Sequence, residues 1–187
     1  MSAINRFYQP TKMQSRAQLL SLGIKCIFIS HQKNDVGDAR KVAEYFQRAG
    51  IEVYFDEYDG DLRIQYELGN PKEVTQAIMR GINNSSHMVV LVSPNTLYSS
   101  WVPFEIGYGY DKTELRVLCL RGIPKGKLPE YIRTVPIIRD IWDLNSMIEG
   151  LSGKRKEVLL ESKMMSEFNS FNNPLYGIMD SLISDTY

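Results

Sequence analysis

Trp101, Glu105 and Tyr108 have a spacing that could bring useful side chains together, because they stand at i, i+4 and i+7 of a predicted helix. Residues at these intervals share one helix face, so an indole and a carboxylate become neighbours. A carboxylate beside aromatic rings can act as an acid or a base, or stabilise a positive charge in a pocket. The spacing also fits a solvated glutamate and a tryptophan that fills the core, and these alternatives stay open.

Three predicted loops carry further polar side chains that could line a pocket. The first, Ser30 to Asp35, contains His31 and Gln32, the second is the long acidic stretch Asp56 to Gly69, and the third is Ser93 to Asn95. A loop histidine could be a general base, but it is more often a surface or hydrogen-bonding residue. The acidic stretch does not have the spacing of a calcium-binding loop, so we expect no metal site.

The elements that must position these residues alternate between short apolar runs and amphipathic stretches from Ile24 to Asp140. This pattern is typical of a parallel sheet covered by helices on both faces. The predicted strands are Lys25–Ser30, Ile51–Phe55, Met88–Val92, Leu115–Leu120 and Val135–Ile138. Ligands of such sheets bind outside the carboxyl ends of the strands, where the strand order reverses. Each polar loop follows one of the first three strands, so we expect the loops to gather there.

Helix boundaries are marked by residues with special backbone preferences. An apolar stripe over residues 36–49 predicts a helix that Gly50 ends, and Asn70 followed by Pro71 predicts the start of the next one. Because Pro103 is tolerated in a first turn, the helix of Glu105 should begin near residue 99 or 100.

The two flanks read as short helical accessories. Met13, Ala17 and Leu20, with a stop at Gly23, predict a leading helix. An apolar stripe after Pro174 predicts a closing helix through its leucines, isoleucines and methionine: Leu175, Ile178, Met179, Leu182 and Ile183. We therefore predict an N-terminal extension over residues 1–23, a central domain over 24–150 and a C-terminal extension over 151–187.

Composition excludes several classes of protein. The 187 residues carry 22 basic and 22 acidic side chains, so no global attraction draws the chain to nucleic acid or anionic lipid. No window approaches the ~18 apolar residues of a membrane span, and the first residues lack a secretion signal, so we expect a cytoplasmic protein. Cys26 and Cys119 lie in apolar runs and are predicted to be buried thiols.

Two nucleotide- or phosphate-handling classes of similar shape do not fit. A phospho-accepting receiver domain needs an acceptor aspartate at the third strand and a lysine after the fifth, where this chain has Ser93 and Arg139. Walker-type hydrolysis needs a glycine-rich loop ending in Lys-Ser or Lys-Thr, and residues 30–38 contain none.

Four segments, in order, resemble the motifs of TIR domains. Cys26–His31 resembles their opening strand, and Gly50–Asp56 resembles their second strand with its trailing aspartate. Leu91–Asn95 followed by Ser100–Ile106 resembles the segment in which Leu-Ser-Pro-Asn precedes a tryptophan and, four residues later, a glutamate. The resemblance covers roughly residues 25 to 142 and implies a flavodoxin-like, doubly wound α/β fold with a five-stranded parallel sheet, here with accessory terminal helices.

Some TIR domains cleave NAD+ at the nicotinamide ribosyl bond, and others only assemble. The enzymatic members carry a glutamate and a tryptophan at the positions of Glu105 and Trp101, so the resemblance implies a bacterial standalone, Thoeris-like NAD+-cleaving enzyme of antiphage immunity. Glu105 would be the catalytic residue, stabilising the oxocarbenium-like ribose. NAD+ would be the substrate, with no other cofactor and no metal. The residues expected to bind it are Trp101, Ser30, His31, Gln32, Asp56, Ser93 and Tyr108.

The resemblance also implies partners and leaves the product open. Water as the attacking group would give ADP-ribose, and an atom of the ADP-ribose itself would give a cyclic species that a downstream effector could sense. In this family the second loop commonly completes a neighbouring subunit's pocket, which implies a homo-oligomer through Asp56–Gly69. The alternative is a non-catalytic TIR interaction module with Glu105 on the helix surface. A nucleoside deoxyribosyltransferase is a more distant one.

Overall fold

Five parallel strands form one sheet in the computed structural model, which describes residues 3–56, 70–123, 127–162, 165 and 172–179. The strands are β1 (Cys26–Ser30), β2 (Glu52–Tyr54), β3 (His87–Val92), β4 (Glu114–Cys119) and β5 (Ile137–Ile138). They lie in the order β2-β1-β3-β4-β5, and Ser30 of β1 pairs with Val90 of β3. The order reverses between β1 and β3, which confirms the predicted flavodoxin-like sheet.

Helices connect the strands and cover both faces of the sheet. They are α1 (Arg16–Ser21), α2 (Val36–Arg48), α3 (Pro71–Asn83), α4 (Trp101–Gly109), α5 (Glu130–Arg133), α6 (Ile141–Ser152) and α7 (Lys156–Glu161). Short 3-10 turns occur at Arg6–Tyr8, Pro10–Lys12, Lys33–Asp35 and Thr96–Tyr98. Within the described ranges, no helix is long and apolar enough to cross a membrane.

Among the described residues, an apolar core lies on each face of the sheet, because alternate residues of a strand point to opposite faces. Ile27 and Ile29 of β1 pack with α2 and α6, whereas Cys26 and Phe28 pack with α3 and α4. The middle strand β3 is buried along its whole length. Burying one such side chain contributes about 1.5–3 kcal/mol. The central strands therefore form a firm base for the loops that follow them.

The predicted helix boundaries are confirmed by local contacts. Helix α2 ends just before Gly50, whose φ of +87° favours glycine. The Asn70 side chain accepts the backbone N–H of Glu73 at 3.4 Å. The Ser99 hydroxyl accepts the N–H groups of Trp101 and Val102 at 3.3 and 3.2 Å, so α4 starts where Pro103 required it to start.

The N-terminal segment extends the sheet beyond β2. Asn5 forms a parallel bridge with Val53. The Asn5 side chain also donates to the carbonyl of Phe55 at 2.7 Å and accepts the Phe55 N–H at 3.0 Å. Arg6 is only 2% exposed and forms an ion pair with Glu52 of β2. These contacts cover backbone groups that an edge strand would otherwise leave open.

The leading helix forms as predicted, but it buries a different face. Helix α1 is followed by Gly23, whose φ is +68°. Leu19 is fully buried, whereas Leu20 is 41% exposed and Ala17 is exposed. The predicted stripe is therefore wrong for Ala17 and Leu20, whereas Met13 lies before α1 and packs partly buried against the core. Fewer than two helical turns give too few residues for spacing to define a face.

The closing segment packs as predicted, but not as a helix. Residues 174–178 form turns, and Met179 makes an antiparallel bridge to Leu120 at the end of β4. Leu175, Ile178 and Met179 are all buried in the core. The apolar spacing after Pro174 thus indicated burial rather than helix, and the rest of that stripe lies outside the described residues.

Two predictions, on the domain boundaries and on the subunit contact, can be compared with the described residues only in part. Helix α6 continues through the predicted boundary at residue 150 and ends at Ser152, just before Gly153 with its φ of +66°. The division into extensions and a central domain otherwise stays a prediction. The predicted subunit contact Asp56–Gly69 lies outside the described residues from position 57 onward.

Candidate active site

A buried carboxylate lies at the carboxyl edge of the sheet, which is the edge where the parallel strands end. Glu105 of α4 is 7% exposed, and the hydroxyl of Ser30, the last residue of β1, donates a hydrogen bond to its Oε2. The two residues are 75 positions apart in the sequence. They meet where the strand order reverses between β1 and β3. The interpretation of Glu105 as a solvated helix residue is therefore wrong.

His31 and Asp56 belong to the same edge of the sheet. The Nδ1 atom of His31 lies 3.2 Å from the carbonyl oxygen of Ile29. Because a carbonyl only accepts, Nδ1 is the donor in this hydrogen bond. The imidazole lies 5.2 Å from the Phe55 ring, centroid to centroid. Phe55 precedes the half-buried Asp56, so the loop after β1 contacts the end of β2.

Ser93 is the centre of a network that joins the loops after β1 and β3. Its hydroxyl donates to Oδ2 of Asp35 at 2.5 Å. The same oxygen accepts the N–H groups of Asn95 and Thr96 at 3.0 and 3.3 Å. The Asn95 amide donates to Oδ1 of Asp35 at 2.6 Å. Ser93, a predicted substrate-binding residue, thus uses its hydroxyl within the protein.

Asp35 is a residue of this edge that was not selected from the sequence. It is 7% exposed. Its position in the polar loop after β1 was the available signal, but an acidic residue at a helix start is ordinarily assigned to capping. Gln32 performs such a local task, since its Oε1 accepts the N–H of Asn34 at 2.6 Å. Among the described residues, no group of three or more His, Cys, Asp or Glu could hold a metal ion.

The aromatic side chains of α4 form a row on the helix. The half-buried Trp101 meets Phe104 edge to face, with 6.2 Å between ring centroids, and Phe104 stacks on Tyr108 at 6.0 Å. The Tyr108 hydroxyl accepts from the Asn83 amide nitrogen at 2.9 Å and lies 3.2 Å from its oxygen. Asn83 is the last residue of α3. Tyr108 is therefore tied to α3, whereas Glu105 is tied to Ser30.

Comparison with known proteins agrees with this arrangement. The sequence profile of the TIR domain matches residues 27–145, which is more than half of the chain. A 2' cyclic ADP-D-ribose synthase of Bacteroides thetaiotaomicron, BtTIR, is 30% identical over 80 residues, or 42% of this chain and 25% of that protein. A protein of Cytobacillus dafuensis provisionally named cyclic ADP-D-ribose synthase TIR2 is 30% identical over 83 residues, or 44% of this chain and 21% of that protein. The chain thus spans about a quarter or less of the length of these two relatives. The profile match includes both Ser30 and Glu105 and covers most of the chain. The chain belongs to the TIR domain family.

Proposed function

We propose that this chain cleaves NAD+ at the bond between nicotinamide and ribose, with Glu105 as the catalytic residue. The observation that carries the proposal is the buried Glu105 carboxylate, held by the Ser30 hydroxyl at the point where the strand order reverses. Membership of the TIR domain family and the names of the two relatives support the same substrate class.

The chemistry needs one carboxylate rather than two. Ordinary glycosidases use one carboxylic acid to protonate the leaving oxygen and a second carboxylate as base or nucleophile. Nicotinamide in NAD+ is a cationic pyridinium, so it leaves as a neutral molecule with the electron pair of the broken C–N bond and needs no proton. The ribose then carries oxocarbenium-like positive charge. A preorganised anion with little exposure to water stabilises such charge far better than water does.

Other residues at the carboxyl edge would hold the substrate. Trp101, one helical turn before Glu105, supplies an aromatic wall for the nicotinamide. His31 and Asp56 supply groups for the ribose hydroxyls, since an imidazole and a carboxylate both form hydrogen bonds with hydroxyl groups. Ser30 keeps Glu105 oriented. Gln32 and Ser93 shape the loops rather than contact the substrate through their side chains, because the Gln32 side chain bonds to its own loop and the Ser93 hydroxyl bonds to Asp35.

The fate of the ribosyl cation decides the product. Attack by water forms a C–O bond, releases one proton and gives ADP-ribose. Attack by a nucleophilic atom of the ADP-ribose portion closes a ring and gives a product lighter by one water. The names of both relatives favour ring closure. Self-association and a role in antiphage signalling stay predictions.

The test is to incubate the concentrated protein with NAD+ and to identify the products by mass spectrometry. We expect nicotinamide together with an equal molar amount of either ADP-ribose or a cyclic ADP-ribose. Protein that stays inert at high concentration refutes the proposal and favours the non-catalytic interaction module. Exchange of bases on deoxynucleosides, measured in parallel, would instead favour the deoxyribosyltransferase.

A further inference from the structure

The Asp35 side chain does not make the helix-capping contact that is usual at its position. It is the residue that precedes the first turn of α2, where an aspartate side chain ordinarily accepts a backbone N–H of its own helix. Here the side chain makes no such capping bond. Its two carboxylate oxygens instead accept from Ser93 and Asn95, which are 58 and 60 positions away. A local stabilising contact is thus replaced by a contact between two loops.

Both side-chain oxygens of Asp35 face a donor in this network. The Ser93 oxygen accepts two backbone N–H groups, so its single proton is directed to Oδ2 of Asp35. An amide nitrogen only donates, so Oδ1 accepts from Asn95. Both side-chain oxygens of Asp35 therefore act as acceptors, and each is bonded to the loop that follows β3.

We propose that the Asp35 clamp, defined as Asp35, Ser93 and Asn95, is a positioning device for the substrate-binding edge of the site. It fixes the loop that carries His31 against the loop that leads to Trp101. The bond between Ser30 and Glu105 joins β1 directly to α4 and does not pass through the clamp. The clamp therefore governs how the edge receives the substrate, whereas Glu105 governs the chemical step. This inference rests on the proposed function for its kinetic consequence.

An exchange of the clamp's two side chains tests the proposal. In wild type, the amide nitrogen of Asn95 donates to Asp35 at 2.6 Å. Asn95→Asp replaces this donor with a second carboxylate, and two carboxylates at such a short distance repel each other. In the double variant Asp35→Asn with Asn95→Asp, residue 35 donates to residue 95 and still accepts from Ser93, so the network is restored with its polarity reversed. Asn34→Asp is the matched control, because it makes the same chemical change at an exposed position next to Asp35 in the loop after β1.

The kinetic readout separates positioning from general damage. We expect Asn95→Asp to raise the KM for NAD+ about tenfold or more with kcat within about threefold, and the double variant to return to within about threefold of the wild-type KM. A fall in kcat with unchanged KM would mean only that less protein is folded, and it would overturn the proposal. A wild-type KM in Asn95→Asp, or a double variant no better than Asn95→Asp, would overturn it as well. Asn34→Asp should keep the wild-type KM.

Hydrogen exchange gives a second readout that needs no activity. The Asn95 N–H donates to the Ser93 hydroxyl, and the Thr96 N–H donates to both the hydroxyl and the backbone carbonyl of Ser93, so exchange of the Asn95 N–H in particular reports whether the clamp is closed. We expect faster exchange of the peptide covering residues 93–99 in Asn95→Asp and wild-type exchange in the double variant. Unchanged exchange in Asn95→Asp would refute the clamp whether or not the wild-type protein cleaves NAD+. Failure of the wild-type protein to cleave NAD+ would refute the proposed function and leave the exchange test of the clamp valid.

Discussion

Removing the Ser30 hydroxyl tests how Glu105 is kept ready for catalysis. The hydroxyl donates to a carboxylate that is 7% exposed. A hydrogen bond to a charged group contributes about 1.5–3 kcal/mol, and about 1.36 kcal/mol corresponds to a tenfold change in rate. Because this bond holds the carboxylate in place beside the ribosyl cation, Ser30→Ala should lower kcat/KM by about ten- to a hundredfold.

The assay is nicotinamide release measured over a series of NAD+ concentrations for wild type and variant. Ser85→Ala is the matched control, since it removes a hydroxyl that is equally buried but donates to the Gly81 carbonyl, before the start of β3. We expect the control to keep the wild-type kcat/KM even if both variants lose some stability. A Ser30→Ala value of kcat/KM within about threefold of wild type would refute the reasoning, as would an equal loss in Ser85→Ala.

Three further predictions concern stability and reactivity. Arg6→Met leaves Glu52 without its buried ion-pair partner and should lower the free energy of unfolding by about 3 kcal/mol in urea denaturation; an unchanged midpoint would contradict this. Burial lowers the pKa of His87, so the unfolded chain binds the extra proton, and stability should fall as pH drops below about 6.5. His87→Gln should flatten that dependence, and an equal slope in both proteins would refute the assignment. Burial raises the pKa of the Cys26 thiol to about 12, so native protein should resist iodoacetamide at pH 8 and react on unfolding; rapid native labelling would count against it.

The strands could be predicted because their signal is local and redundant. Residues 87–92 are apolar except for His87. A strand that is buried on both faces appears in the sequence as a continuous apolar run, so it can be predicted without knowing which strands lie beside it. The start of α4 was equally local, since Pro103 allows only a few positions. The sequence also indicated the correct edge of the sheet, because the polar loops follow the strands that end there.

The pairings within the site depend on tertiary geometry and could not be predicted. Glu105 and Ser30 are 75 residues apart, and helical spacing alone placed the glutamate beside Trp101 and Tyr108. Tyr108 is bonded to Asn83 because α3 packs beside α4. The role of Asp35 was hidden by its position at a helix start, where a local explanation was sufficient.

Short segments were misread for a related reason. In α1 a one-residue difference separates the buried Leu19 from the exposed Leu20, and so short a helix follows its contacts rather than its periodicity. After Pro174 the apolar side chains reach the core from turns and a single bridge. Burial was predictable in that segment, whereas backbone conformation was decided by the neighbouring end of β4.

The most direct measurement is the turnover of NAD+ by Glu105→Gln, which keeps the size of the side chain and removes its charge. We expect kcat to fall by about 10²–10³-fold or more, with KM within about threefold, because the charge is needed only as the ribosyl cation forms. Glu44→Gln, at an exposed position of α2, is the control and should match wild type. A Glu105→Gln variant that keeps kcat within about threefold of wild type would contradict the assignment of this carboxylate as the catalyst.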